Sequence, residues 1–166
     1  MTPPPSRWAV RAAHLISLVV LPSALWRLGL VLGFSMGGTE NGNPVHVAGG
    51  EAVWIVSLSV ITEGLALLTL GLVKPWGLRF PRTLVLGLAT FGVISLALIW
   101  GYAFRDFPNV AEGSNELGFS DAGHTLLLVC YLPLLLWAPL LAAVTWDYFR
   151  RTQQWRGSAL RSDPAR

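Results

Sequence analysis

Four long apolar runs constrain this chain more than any other feature of its sequence. They cover about residues 12–36, 52–73, 83–104 and 124–146. At a rise of about 1.5 Å per residue, each run is long enough to cross a hydrocarbon core of about 30 Å as a helix. The apolar residues lie all round each segment, as is typical of helices surrounded by lipid. We therefore predict an all-α fold, a four-helix transmembrane bundle that forms one membrane domain over residues 1–166.

The composition agrees with a membrane location. Hydrophobic residues make up 53% of the 166 residues and charged residues only 13%, and the mean hydropathy is +0.54. A soluble domain carries about 25% charged residues because its surface must stay hydrated. The lipid bilayer is therefore the predicted main partner of this chain.

The positions of the charges predict an orientation in the membrane. Basic residues lie before the first run, between the second and third runs, and after the fourth: Arg7, Arg11, Lys74, Arg79, Arg82, Arg150, Arg151, Arg156, Arg161 and Arg166. The other two connections hold mostly acids: Glu40, Glu51, Asp106, Glu112, Glu116 and Asp121. Because Lys and Arg favour cytoplasmic loops, we expect both termini and a basic tail at 149–166 to be cytoplasmic, with two acidic outer loops. Topology thus accounts for the basic charge, and no nucleic-acid partner is needed.

The first and fourth runs bear on two alternatives, a cleaved signal peptide and a thiol oxidoreductase. The first run has the basic start of a signal peptide, but Pro22 disfavours cleavage after Ala24 and apolar sequence continues through Phe34, so we expect a retained helix. The single cysteine, Cys130, cannot form an intrachain disulfide or a CxxC pair. This excludes the small four-helix thiol oxidoreductases.

Arg27 and Glu63 are charged residues inside apolar runs. Their positions place them about 13 Å and about 16 Å from the outer ends of the first and second helices. A charge near the bilayer centre costs about 2.5–3.5 kcal/mol on insertion scales, so it favours the bundle interior and a partner of opposite sign. We predict that Arg27 and Glu63 form a buried intramembrane ion pair or bridge through water.

A polar stripe on the second helix supports this pairing. Ser59, Thr62 and Thr69 recur with Glu63 at steps of three and four residues, and Ser23 lies on the same face as Arg27. The two stripes are expected to face each other, with Tyr131 lending a hydroxyl to the same centre beside a kink at Pro133. The pair has two alternative roles: it fixes helix register, or it lines a path for an ion, proton or substrate.

Histidines and acids in the outer connections invite a metal interpretation. His46 lies in the first outer loop, and Asp121 and His124 have a spacing that can share one helix face. These weak candidates lack a closed ligand motif, so we predict no metal and no other cofactor. No phosphate-binding glycine loop or hydrolase motif occurs either.

Prolines, glycines and short polar residues predict where the helices end. Pro75 and Pro81 bracket a short inner connection, which is expected to make the second and third helices antiparallel neighbours. Ser120 or Asp121 is the expected N-cap of the fourth helix. Kinks are expected at Pro22, Pro133 and Pro139.

The stretches "LPSALWRLGLVLGF" and "EGLALLTLGLVKPWGLRFP" resemble uncharacterised small four-helix integral membrane proteins from high-GC bacterial genomes. The resemblance covers the first two helices and the inner loop, and it implies a bacterial plasma membrane protein but no activity. Our first hypothesis is a structural or accessory subunit of a membrane assembly, with a membrane-protein partner or as a homo-oligomer. A small transporter or channel using Arg27 and Glu63 is the alternative, and a membrane-embedded enzyme comes third.

Overall fold

The computed structural model describes residues 4–40, 43–105 and 120–161. Its helical stretches Arg7–Val31, Gly49–Leu72, Arg82–Tyr102 and Asp121–Gln153 are each long and apolar enough to cross a membrane. The predicted helical fold with four candidate spans is therefore confirmed, and the chain is a multi-pass membrane protein by the length and composition of its helices.

The first helix, α1, spans Arg7–Val31 and lies at the centre of the bundle. The Ser6 side chain caps it by accepting a hydrogen bond from the Ala9 amide at 3.3 Å. Its buried residues recur at alternating steps of four and three, so one continuous seam faces the other helices. They include Ala9, Ala13, Ile16, Val20, Ser23, Arg27 and Leu30.

Helix α1 ends at Val31 and not at residue 36 as the apolar run predicted. Gly33 adopts a φ of 91°, which favours glycine. The Gly33 amide donates to the Leu30 carbonyl at 3.1 Å, and the Phe34 amide donates to the Gly29 carbonyl at 3.0 Å. This bonding is a Schellman motif, which stops the helix although the following residues are still apolar.

A short hairpin follows in the connection between the first and second spans, the predicted first outer loop. Strand β1, Thr39–Glu40, pairs antiparallel with β2, Asn43–Pro44. Just before it, the Gly37 carbonyl accepts a hydrogen bond of 2.9 Å from the Ser120 amide. A Cβ at Gly37 would overlap the backbone of Gly123, so glycine allows this loop to lie against the start of the fourth span.

The second span consists of α2, Gly49–Leu68, and a 3-10 helix, Thr69–Leu72. A second 3-10 helix, Pro75–Arg79, forms the inner connection. Its tryptophan, Trp76, folds back over Gly71, where a Cβ would lie 2.5 Å from the ring. A Cβ on Gly77 would overlap the Gly71 carbonyl, so both glycines are required by close packing.

The third span is α3, Arg82–Arg105. Residues 106–119 follow it, and the predicted loop acids Asp106, Glu112 and Glu116 therefore lie outside the described residues.

The fourth span consists of α4, Asp121–Tyr131, a 3-10 segment, Leu132–Leu136, and α5, Trp137–Arg161. Ser120 is the N-cap, as expected, and accepts from the Gly123 amide at 3.2 Å. The 3-10 segment contains Pro133, whose missing N–H removes one helical hydrogen bond. The predicted helix end at residue 146 and the tail from residue 149 differ from the structure, since α5 continues to Arg161.

The helices pack unevenly around α1. Helix α1 contacts α2, α4 and α5, whereas α3 packs chiefly against α5. Helices α2 and α3 make little direct contact, so the expectation that they are close neighbours is wrong. The 75–79 segment joins their ends as a 3-10 helix and packs against the 69–72 segment.

Candidate functional site

Arg27 lies in the α1 seam and is only 7% exposed. Its Nε donates to the Ser23 carbonyl at 3.0 Å, and its Nη2 donates to the Ser23 hydroxyl at the same distance. The Ser23 hydroxyl donates in turn to the Val20 carbonyl at 2.8 Å. The guanidinium is therefore held along its own helix by a residue one turn earlier.

Glu63 lies on α2, which packs against α1. Its Oε1 atom is enclosed and has no hydrogen-bond partner among the residues that the structure describes. Among the described residues, the ion pair with a nitrogen–oxygen distance within 4.0 Å is formed by Asp147 and Arg151. Arg27 and Glu63 are therefore not joined directly. The two groups are close enough to interact electrostatically, and a bridging water between them stays a prediction.

The hydroxyls of the predicted polar stripe bond to their own helix. Ser59 donates to the Ile55 carbonyl at 2.9 Å, and Thr62 donates to the Leu58 carbonyl at 2.6 Å. Thr69 is buried and donates to the Ala66 carbonyl at 2.6 Å. Such local bonding satisfies a hydroxyl without linking two helices.

Tyr131 lies near Arg27 and joins two tryptophans edge to face. Its ring centroid is 5.6 Å from that of Trp26 on α1 and 6.4 Å from that of Trp100 on α3. Such aromatic pairs contribute about 0.5–1.5 kcal/mol beyond burial. All four spans thus contribute to one polar and aromatic centre, which we call the Arg27 cluster: Ser23, Trp26, Arg27, Glu63, Trp100 and Tyr131.

A second charged network lies at the end of the bundle where α1 begins. The Asp147 carboxylate accepts a bond of 2.6 Å from the Ser6 hydroxyl and one of 2.8 Å from the Arg151 Nε. Arg151 also donates from Nη2 to the Leu72 carbonyl at 2.7 Å. This Asp147 network of Ser6, Leu72, Asp147 and Arg151 ties three spans together, and both Asp147 and Arg151 are buried.

Sequence reasoning missed the Asp147 network because it ended the fourth helix at residue 146. The available signal was the spacing of four between Asp147 and Arg151, which places opposite charges on one helix face. That pair, with its bond to the end of the second span, also gives the physical reason why α5 continues beyond its apolar part.

The weak metal candidates do not form a ligand set. His46 follows the outer hairpin, whereas Asp121 and His124 lie in the first turn of α4. Over residues 4–40, 43–105 and 120–161, no group of three or more His, Cys, Asp or Glu side chains is arranged to hold a metal ion.

An apolar groove lies between α2 and α3, with α5 as its floor. Its volume is about 410 Å³. It exists because α2 packs on α1 while α3 packs on α5. Its walls are almost wholly hydrocarbon. The residues that line it include Leu65, Leu68, Trp76, Phe80, Leu84, Leu88, Phe91, Ile99, Trp137 and Leu141.

Helix α3 has a further face that neither packs inside the bundle nor lines the groove. Its residues recur at steps of three and four and are all small except Ile94: Thr83, Gly87, Thr90, Ile94, Ala97 and Gly101. Every one of them is exposed. A Cβ at Gly87 or Gly101 would meet no atom within 4 Å, so the fold of this chain does not require glycine there. We call this face the α3 small face.

Comparison of the chain with protein-family models, curated proteins and solved structures gives no match.

Proposed function

We propose that this protein is an accessory subunit of a bacterial plasma-membrane assembly and that the α3 small face is its contact with another membrane-spanning helix. The single observation that carries the proposal is that Gly87 and Gly101 have open space around them and lie on a face of small exposed residues, whereas the equally open Gly64 lies among Val60, Leu67 and Leu68. Glycine in a helix interior costs about 1 kcal/mol relative to alanine, and inside this chain nothing offsets that cost at these two positions.

Close approach of a second helix would explain why glycine occupies positions 87 and 101. Lipid tails are as apolar as leucine, so transmembrane helices associate through tight packing and not through hydrophobic burial. Small residues four apart, such as Thr83 with Gly87 and Ala97 with Gly101, allow two backbones to come close. The position of α3 at the edge of the bundle leaves this face accessible from the side.

The charge distribution supports an orientation with both termini in the cytoplasm. The bond between Ser6 and Asp147 places the start of α1 and the polar part of α5 at one end of the bundle. The end of the second span, which leads into the inner connection, meets them there through the bond from Arg151 to Leu72. The described basic residues of these three segments therefore share that end, and we assign it to the cytoplasmic side by the bias of Lys and Arg.

The decisive variants replace glycines that have open space around them. Gly87→Leu and Gly101→Leu should abolish co-purification of the partner from gently solubilised membranes, because each adds a bulky side chain to the contact. The fold of the subunit should be unaffected, since no atom lies near either position. Gly64→Leu is the matched control, as Gly64 on α2 is also exposed and has equally open surroundings.

Co-purification is scored for a different protein and for a second, differently tagged copy of this chain. Co-purification of either one supports the proposal if it is lost in the Gly87→Leu and Gly101→Leu variants and retained in Gly64→Leu. A chain that purifies alone, or a partner retained in all three variants, contradicts it.

A second candidate function, a small transporter or channel, is favoured by one observation at the Arg27 cluster. An enclosed carboxyl oxygen without a hydrogen-bond partner, as at Glu63, needs a proton, a water or a cation to satisfy it. Proteoliposomes with a pH-sensitive dye inside test this candidate. Faster collapse of a pH gradient than in empty vesicles, abolished in Glu63→Gln, would favour a proton path, whereas equal rates would leave Glu63 with a structural role.

A further inference from the structure

We propose that the groove between α2 and α3 binds one phospholipid with an anionic headgroup, with an acyl chain in the groove and the headgroup at the basic residues of the inner connection. This site is separate from the α3 small face and does not depend on the proposed function. The inference rests on the shape of the groove and the charges at its inner end.

The groove has the chemistry and the length of an acyl-chain site. Its walls are apolar from Leu84 near the start of α3 to Ile99, which is about 22 Å at helical rise. One leaflet of the hydrocarbon core is about 15 Å thick, so a chain entering from the inner boundary stays within the groove. Thr69, a polar residue of the lining, already donates its hydroxyl to the Ala66 carbonyl.

The inner end of the groove is a built feature of the fold. Trp76 packs over Gly71, and Gly77 contacts the same residue, so the connection closes one end of the groove with an aromatic ring. Tryptophan is enriched at the boundary between headgroups and hydrocarbon. The end that Trp76 closes therefore lies at headgroup level.

The charges of the connection beside this end are all positive, and the nearby acid Asp147 is already paired with Arg151, which bonds to the lining residue Leu72. Lys74 and Arg79 are exposed and belong to the same connection as Trp76. Arg82 begins α3 two residues before the lining residue Leu84, and its guanidinium lies over the Phe149 ring, with Cζ 5.4 Å from the ring centroid. The described residues of segment 74–82 include no acid. Basic pockets between spans on the cytoplasmic side attract anionic headgroups, and phosphate oxygens accept charge-assisted hydrogen bonds from Lys and Arg side chains.

The test counts lipids retained by the purified full chain in native mass spectrometry. The probes are phosphatidylglycerol and phosphatidylcholine with identical acyl chains, supplied in equal amounts. The wild-type protein is expected to retain phosphatidylglycerol preferentially. Each of the variants Lys74→Gln, Arg79→Gln and Arg82→Gln should lower that preference roughly fivefold, which corresponds to the contribution of one cation near a membrane surface.

Filling the groove distinguishes a groove site from general attraction to basic residues. Leu88→Trp places a larger ring in the groove and should reduce retention of both lipids several-fold. Leu67→Trp is the matched control, since Leu67 is similarly exposed on α2, at 53% against 57% for Leu88, and does not line the groove.

Equal retention of the two lipids by the wild-type chain would overturn the headgroup assignment. Unchanged retention in Leu88→Trp would overturn the groove assignment. A photo-crosslinker at Leu88 that captures a protein instead of lipid in native membranes would show that a partner helix occupies the groove, and would also overturn the proposal.

Discussion

At the residue scale, the buried Arg27 guanidinium donates to the carbonyl and the hydroxyl of Ser23 on its own helix. Arg27 and Glu63 stand out as charges in apolar runs, and both lie on contacting helices. Comparing the depths of Arg27 and Glu63 in the membrane does not predict the bonds that Arg27 makes. Its acceptors, the Ser23 carbonyl and hydroxyl, lie one turn away on the same helix. A long flexible side chain takes the nearest acceptor, and depth along two helices does not reveal which acceptor is nearest.

Removing the Ser23 hydroxyl tests this local bonding. Ser23→Ala should lower the free energy of unfolding by about 1.5–3 kcal/mol, because Arg27 loses a charge-assisted acceptor inside the bundle. Ser17→Ala on the same helix is the control and should be neutral, since the enclosed Ser17 hydroxyl has no hydrogen-bond partner. Unfolding of the two variants in the same detergent measures the difference, and equal losses would contradict the role of Ser23.

The same comparison applies to the Asp147 network. Asp147→Asn leaves the buried Arg151 without its carboxylate and should cost about 3 kcal/mol of stability. Asp121→Asn is the control, because Asp121 is an exposed acid in the first turn of α4 and should cost no more than about 1 kcal/mol. The unfolding midpoints of both variants provide the measurement, and a midpoint for Asp147→Asn equal to that of Asp121→Asn would exclude a stabilising network.

At the element scale, the number of helices follows from hydropathy while their ends depend on local chemistry. The α1 end at Val31 is set by Gly33, which hydropathy ignores because its neighbours are apolar. The extension of α5 to Arg161 crosses a polar stretch that hydropathy assigns to a tail. Both errors arise because a membrane-span pattern reports solubility in lipid and not backbone hydrogen bonding.

The inner connection offers an element-scale test of close packing. Gly77→Ala forces the new Cβ against the Gly71 carbonyl and should lower stability by about 1–3 kcal/mol while shifting Trp76. Gly50→Ala places its Cβ in open space in the first turn of α2 and should be neutral or slightly stabilising. Tryptophan fluorescence and thermal unfolding follow both variants, and a neutral Gly77→Ala would show that the connection yields without cost.

At the scale of the whole molecule, the short inner connection does not predict which helices touch. It joins α2 and α3 in sequence, yet α2 packs on α1 and α3 packs on α5. The spacing of the buried residues in α1 indicates that this helix is central in the bundle. It does not indicate which neighbouring helix packs on which side of α1. Two lateral surfaces, the groove and the α3 small face, result from this arrangement.

The predicted orientation is tested by thiol labelling in intact cells. In a Cys130→Ala background, an impermeant maleimide should label the His46→Cys variant, because the first outer loop faces outward. The Arg79→Cys variant should react only after permeabilisation. Both native residues are exposed, so access to the thiol reports the side of the membrane. Labelling in the reverse order would place the termini outside.

On the proposed function, α3 meets another protein through its small face. The most direct measurement is site-specific photo-crosslinking in native membranes from Thr90 in the middle of that face, compared with Val60 on the exposed side of α2. We predict a discrete protein adduct from position 90 and only lipid adducts from position 60. Lipid adducts alone from both positions would contradict the claim.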